Sequence, residues 1–178
     1  MTAVLRPITA HDLNAATLCG VAAWVSTIAP LLDKFEASDL SKIEQTFQYF
    51  FLAHLMKRDN DQDHLIVAEL DGQIAGFYNL DSVTAELTDL WVPQQWQGQG
   101  TAGLMLRDAM ATAREFGHAN LTLEVQVGNV RAIAFYHKHD FVECGRKVER
   151  DPILECMVEK IQMRLPLAYR PVSGIVSL

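Results

Sequence analysis

Apolar positions along the chain switch between strand-like and helical periods, and the switches outline its elements. Residues 3–8 read as a short strand, stopped by Pro7 and a Thr9-Ala10-His11-Asp12 turn. Leu13, Ala16, Leu18, Val21, Ala22 and Val25 then recur at helical spacing to about Ile28, with Thr9 or Asp12 available as the cap. Pro30 interrupts the pattern. A second helix begins at Ser38 or Ser41 and carries Ile43, Phe47, Phe50, Phe51, Leu55 and Met56, a stripe with the spacing of a buried face, up to the polar cluster 57–63.

Residues 64–70 and 73–80 form two strands joined by Asp71-Gly72, a strong hairpin signal. Residues 86–92 make a third, mostly buried strand that Pro93 ends. A helix over 101–116 turns Leu104, Leu106, Ala109, Met110 and Ala113 toward the core and is capped by Gly117. Leu121, Leu123 and Val125 then alternate against Thr122, Glu124 and Gln126 as a strand. A short helix runs from Asn129 or Val130 to about His139, and strands follow near 141–148 and 153–165. Residues 166–178 show little pattern. They are either a flexible end or an arm that packs on a second subunit.

This order, β-α-α-β-β-β-α-β-α-β-β, predicts an α/β fold with a mixed sheet and helices on both faces. With 178 residues, no repeat and no linker, one domain is expected over 1–166, followed by a tail at 167–178.

Composition narrows the function. Apolar residues make up 49% of the chain, but no uninterrupted run approaches the ~18 that span a bilayer, and the first residues lack a basic-then-apolar leader, so a soluble cytoplasmic protein is expected. Cys19, Cys144 and Cys156 are odd in number and widely spaced, which predicts buried free thiols rather than disulfides or zinc. His137 and His139, at i and i+2, cannot share a helix face, and no metal is expected. A net charge of −7 argues against nucleic acid and is compatible with a cationic or amine-bearing acceptor.

The most specific chemistry lies in the Gly-punctuated loop between the third strand and the helix at Thr101. The unpaired amides at a helix start sit at the positive end of its dipole and favour phosphate. Gly98 and Gly100 let a ligand approach the backbone, and Gly103 does the same or eases packing. Read from the residues alone, the loop is either a connection without a ligand or a dinucleotide site. Gly98, Gly100 and Gly103 spell GxGxxG with Glu124 about 20 residues further on, but Pro93 to Gln97 separate the glycines from their strand and the loop is mid-chain. A kinase-type P-loop is excluded because no GxxxxGK[ST] occurs.

Gln97-Gly98-Gln99-Gly100-Thr101-Ala102 matches the (Q/R)xxGx(G/A) loop of the GNAT superfamily of N-acetyltransferases. The preceding Glu86-Leu87-Thr88-Asp89-Leu90-Trp91-Val92 resembles that family's ELxxLYV strand. Downstream, Asn129-Val130-Arg131-Ala132-Ile133-Ala134-Phe135-Tyr136-His137-Lys138-His139-Asp140-Phe141 resembles its NxxAxxFYxKxGF segment, with Asp140 in place of the glycine. The chain thus resembles a GNAT enzyme over roughly a third of its length.

The resemblance implies a mostly antiparallel sheet of about six or seven strands, splayed where acetyl-CoA binds, and direct acetyl transfer to a small-molecule or peptide amine. Polyamine-like acceptors are one option. It implies that Leu90, Trp91 and Val92 pair with the pantetheine arm. The diphosphate rests on amides around Gly98, Gln99, Gly100, Thr101, Ala102 and Gly103, with Gln97 opening the loop. Asn129 holds the CoA arm or caps its helix, and Arg131 and Lys138 meet phosphates. Tyr136 protonates the leaving thiolate, and Glu86 is the first candidate base, with Asp89 and Glu124 as further options. The acceptor pocket draws on Trp24, Phe35 and Phe47. A homodimer is the default assembly. A CoA-binding module without turnover and a dinucleotide oxidoreductase are the alternative functions.

Overall fold

The computed structural model describes residues 3–32, 34–56, 63–151, 153 and 155–167. Among them the chain forms β1 (Val4–Pro7), α1 (Leu13–Thr27), α2 (Asp39–Met56), β2 (Asp63–Leu70), β3 (Gln73–Asp81), β4 (Glu86–Trp91), α3 (Thr101–Glu115), β5 (Asn120–Gln126), α4 (Val130–Lys138), β6 (Val142–Arg150) and β7 (Met157–Pro166). The element order read from the sequence is the order observed. The strands form one seven-stranded sheet, β1-β2-β3-β4-β5-β7-β6, antiparallel at every step except β4 beside β5.

Local chemistry explains the joints. Asp71 and Gly72 both have positive φ, 51° and 76°, the pair of left-handed residues that a two-residue hairpin turn requires. Gly117 (φ 81°) ends α3, with its amide donating to the Arg114 carbonyl and that of His118 to the Ala113 carbonyl, a Schellman closure. Neither Thr9 nor Asp12 accepts from an α1 amide; they brace the turn before it instead, the Thr9 amide and hydroxyl each donating to Asp12 Oδ2 at 2.8 Å while Arg6 donates to both Asp12 oxygens at 2.7 and 2.8 Å.

Strand alternation sends side chains into two separate cores. Tyr78 and Leu80 of β3 join Met105, Leu106 and Ala109 of α3 and Tyr136 of α4 on one face. Phe77 of the same strand joins Trp24 of α1 and Ile43, Phe47 and Phe51 of α2 on the other. Helices α1 and α2 meet closely because Gly20 has no side chain: a Cβ there would lie 2.7 Å from the Phe47 ring.

Four expectations are corrected or bounded. Residues Ala10–Leu31 are, by length and composition, apolar enough to cross a membrane, which a count of uninterrupted runs misses because Asn14 and Thr17 break the run. In the fold this segment is a core element, with Ala16, Cys19, Ala23 and Trp24 buried and α1 packed on α2 and β3. Only Cys19 of the three cysteines is buried; Cys144 lies on the edge strand β6 and Cys156 in the turn before β7, and both are exposed. Strand β7 begins at Met157 rather than 153, because the chain first closes a turn in which the Asp151 amide donates to the Cys156 carbonyl and the Glu155 amide to the Asp151 carbonyl. The tail reading falls on residues outside those described, apart from Pro166, which ends β7 opposite Asn120, and Leu167, which is buried and donates its amide to the Ala119 carbonyl at 2.8 Å.

Candidate functional site

A cleft opens in the middle of the sheet, and its cause is one extra residue. Asp89 pairs with Asn79 and Leu87 with Leu80, so Thr88 is a bulge that bends β4. Strand β4 accordingly stays beside β5 only at Glu86↔Thr122 and Leu87↔Leu123. Beyond that point β4 continues along β3 to Trp91, and β5 continues along β7 to Gln126. The facing edges of residues 88–91 and 124–126 have no strand partner among the described residues, and a cleft of about 780 Å³ lies between them.

The glycine loop borders the cleft at the far end of β4. After Pro93 a single tight turn, Gln94–Trp96, leads through Gly98 (φ 77°) and Gly100 (φ 85°) into α3. Left-handed backbone at both positions is what glycine supplies at least cost. The first amide to find a backbone acceptor is that of Leu104, which donates to Gly100 at 2.9 Å. Among the described residues the six amides 98–103 donate to no protein acceptor. A Cβ added at Gly98 or Gly100 would have nothing within 4 Å, so the space over these amides is open. Gln97 braces this arrangement, its Nε2 donating to the Val92 carbonyl at 2.8 Å. Gln99 Nε2 donates to the Gln95 carbonyl at 3.1 Å, and Gln99 alone of the expected loop residues stays off the cleft wall.

Leu90, Trp91, Val92, Gln97, Gly98, Gly100, Thr101, Ala102, Gly103, Asn129, Arg131 and Tyr136 all line the cleft, as does Lys138. Asn129 caps α4, its Oδ1 accepting from the Ala132 amide at 3.1 Å, and faces the cleft as well. Tyr136 is 8% exposed, packs on Phe135 and Phe141 at centroid distances of 5.3 and 5.5 Å, and its hydroxyl hydrogen-bonds no group among the described residues. Burial, and then the nearby Asp89 carboxylate, push that hydroxyl well above the ordinary tyrosine range. Asp140 adopts the left-handed conformation (φ 67°) that its place in the segment demands. The Phe141 amide donates to the Tyr136 carbonyl at 3.1 Å, so the turn holds Phe141 beneath Tyr136.

The candidate bases separate. Glu86 lies at the closed end, where β4 still pairs with β5, and does not line the cleft. Asp89 does line it. Its carboxylate accepts from Trp91 Nε1 at 2.9 Å and from the Thr88 hydroxyl at 3.0 Å, and burial raises its pKa above the usual carboxylate range. Burial also raises Glu86, with Glu124 adding to the effect. Glu124 reaches the cleft but is held by Lys147 at 2.7 Å. Lys147 and Lys160 both bind Glu149, and Lys160 faces the cleft too.

Trp24 and Phe47 line the cleft, whereas Phe35 lines an adjoining hollow of about 680 Å³ that shares Trp24 with it. Phe47 meets Trp91 edge-on at 5.9 Å. Arg107 and His139 also line the cleft and escaped the sequence reading. Arg107 follows Gly103 by four positions on α3, so a helical projection from the loop finds it; His139 had been weighed only as a metal ligand.

Comparison with known proteins bears on this geometry. The family model described as "Acetyltransferase (GNAT) family" matches residues 29–141. The chain is 37% identical over 86 residues to a 5-NmdU N-acetyltransferase of Pseudomonas phage PaMx11, covering 46% of this chain and 59% of that protein. It is 32% identical over 91 residues to a streptothricin acetyltransferase of Streptomyces lavendulae, covering 49% and 48%. The chain thus spans about half the length of the curated relatives it matches. The crystal structure of PaiA N-acetyltransferase from Thermoplasma acidophilum in complex with coenzyme A has the same fold, with a TM-score of 0.73 at 19% identity over 93% of this chain and 99% of that one. A splayed mixed sheet, a glycine loop of free amides at the head of α3 and a family match across most of the described fold lead to one conclusion: the chain belongs to the GNAT acetyltransferase family.

Proposed function

We propose that the cleft binds acetyl-CoA and that the protein transfers the acetyl group directly to a primary amine of a small molecule or peptide. The observation that carries this reading is the row of six unpaired amides at 98–103, set beside open space and at the positive end of α3. Residues 98–100 are exposed, so their amides are accessible, and an anionic diphosphate can accept from several of the row at once. The unpaired edge of β4 offers backbone partners to an extended, amide-bearing arm in the manner of an added strand.

Acetyl-CoA supplies an activated thioester, so orientation carries much of the rate and the protein's remaining work concerns protons. Asp89 is the carboxylate placed to take the proton of the attacking ammonium, being on the cleft wall and raised by burial toward the range of a working base. Glu86, off the wall, acts at most through water. Tyr136 keeps its proton at neutral pH and has no competing acceptor among the described residues, which suits a donor to the departing thiolate. Aromatic rings of Trp24, Phe47 and Trp91 together with Asp89 and Glu124 favour a cationic acceptor, with polyamine-like amines among those to try. The two relatives are named for streptothricin and for 5-NmdU, so similarity does not choose between acceptors.

The test is thiol release from acetyl-CoA across a panel of amines. Turnover that falls roughly 10²–10⁴-fold in Tyr136→Phe supports the assignment. Binding of acetyl-CoA with no turnover across a broad panel favours a CoA-binding module. Stabilisation by NAD and not by acetyl-CoA favours a dinucleotide enzyme.

A further inference from the structure

Two side chains converge on Gly103 without being bonded to each other or to a carboxylate. Arg107 Nη1 lies 3.4 Å, and His139 Nε2 3.8 Å, from the point where a Cβ at position 103 would stand. Arg107 reaches back along α3, and His139 reaches across from the end of α4. Arg107 makes no hydrogen bond or ion pair among the described residues, although it borders a cleft rather than open solvent alone. A guanidinium beside six unpaired amides is an arrangement suited to an anion.

The tautomer of His139 is settled by its partner. Nδ1 lies 2.8 Å from the Phe135 carbonyl, and a carbonyl can only accept, so Nδ1 carries a hydrogen. The ring also rests on that of Phe135 at 4.4 Å, which holds its direction. In the neutral imidazole Nε2 therefore presents a lone pair toward Gly103, and only the protonated ring presents an N–H there. The other charged groups at this part of the cleft are Arg107 on α3 and Arg131 and Lys138 on α4. Of the carboxylates that line the cleft, Asp89 and Glu124 belong to the sheet wall and Asp151 to the turn before β7, and Asp108 of α3 is taken by the Tyr78 hydroxyl at 2.6 Å.

We propose that Arg107 clamps the diphosphate of acetyl-CoA against the α3 amides, with the fixed His139 ring as the neighbouring wall. The inference rests on acetyl-CoA as the ligand and adds one phosphate-binding side chain to it.

The test is calorimetric titration of the purified protein with acetyl-CoA, acetyl-dephospho-CoA and S-acetyl-pantetheine. Loss of one charge-assisted contact predicts roughly ten- to hundredfold weaker acetyl-CoA binding in Arg107→Ala, with Arg107→Lys intermediate. The same losses are expected with acetyl-dephospho-CoA, whose diphosphate stays ionised, and none with S-acetyl-pantetheine, which has no diphosphate and so reports that the variants are folded. Unchanged acetyl-CoA affinity in both variants overturns the clamp while leaving the ligand intact. Losses that disappear with acetyl-dephospho-CoA assign the contact to the 3′-phosphate and also overturn it. Equal losses with S-acetyl-pantetheine reveal a structural role instead. Wild-type protein that binds no acetyl-CoA overturns the ligand assignment itself.

Discussion

Gly100→Ala separates the loop's structural cost from its role in binding when it is set beside Gly72→Ala. Both glycines sit at positive φ, 85° and 76°, and a Cβ at either has no neighbour within 4 Å. Neither substitution therefore carries a packing term, and each pays only for forcing an alanine into left-handed backbone, about 1–2 kcal/mol. For a chain of this size each kcal/mol lowers Tm by about 2–4 °C, so both variants should melt roughly 2–8 °C below the wild type. Their ligand behaviour should diverge. Gly72 turns the β2–β3 hairpin, away from the cleft, whereas the Gly100 methyl stands over the amide row. Displacing one or two charge-assisted bonds predicts roughly 10- to 100-fold weaker acetyl-CoA binding for Gly100→Ala and none for Gly72→Ala. Thermal melts with calorimetric titration read both quantities. Equal affinities in the two variants would refute the reasoning, and so would a Gly100→Ala melt far below that of Gly72→Ala.

Other outcomes follow from the packing and the charges. Gly20→Ala adds a Cβ within 2.7–2.9 Å of a Phe47 ring already packed against Phe51, Phe77 and Trp91. Overpacking of about 1–3 kcal/mol outweighs the roughly 1 kcal/mol of helix propensity gained, and a melt should show a lower Tm; a rise would show that α1 and α2 are not this close. Of the three thiols, Cys144 and Cys156 should react rapidly with a thiol-specific reagent in the native protein. Cys19, buried and with its thiol pushed up to about 12, should react only on unfolding; three fast equivalents would contradict the core placement. Arg6, then Thr9, hold the Asp12 carboxyl far below its usual range. A depressed folded-state pKa means stability present above the unfolded value of about 3.9 and lost below it. Asp12→Asn should cost about 2 kcal/mol at pH 7 by urea unfolding, and the gap to wild type should narrow as pH falls below about 4; a constant gap would exclude the carboxylate as its source.

Signals confined to a few neighbouring residues were legible in the sequence, and signals that need a partner strand were not. Asp71-Gly72, Gly98, Gly100 and Gly117 each declare a backbone state by themselves, and each has the positive φ its position implied. The bulge at Thr88 has no such mark, since an extra residue exists only in relation to β3. Its consequence is large. Simple alternation puts Asp89 on the face of Leu87, but the bulge resets the parity: Leu87 and Leu90 both pack in the α3 core, and Trp91 faces the α1–α2 core. Asp89, bonded to the Trp91 indole, thereby reaches the cleft while Glu86 stays at its closed end. The exposed cysteines have a similar origin. Burial is the usual state of a free thiol, but β6 is an edge strand, and its position in the sheet is a tertiary fact.

The amide row is best tested by following backbone amide resonances of isotopically labelled protein during addition of acetyl-CoA. The account predicts that the largest changes fall on the amides of residues 98–103, with protection from solvent exchange appearing there on binding. Saturable binding that leaves those six amides unmoved would contradict it.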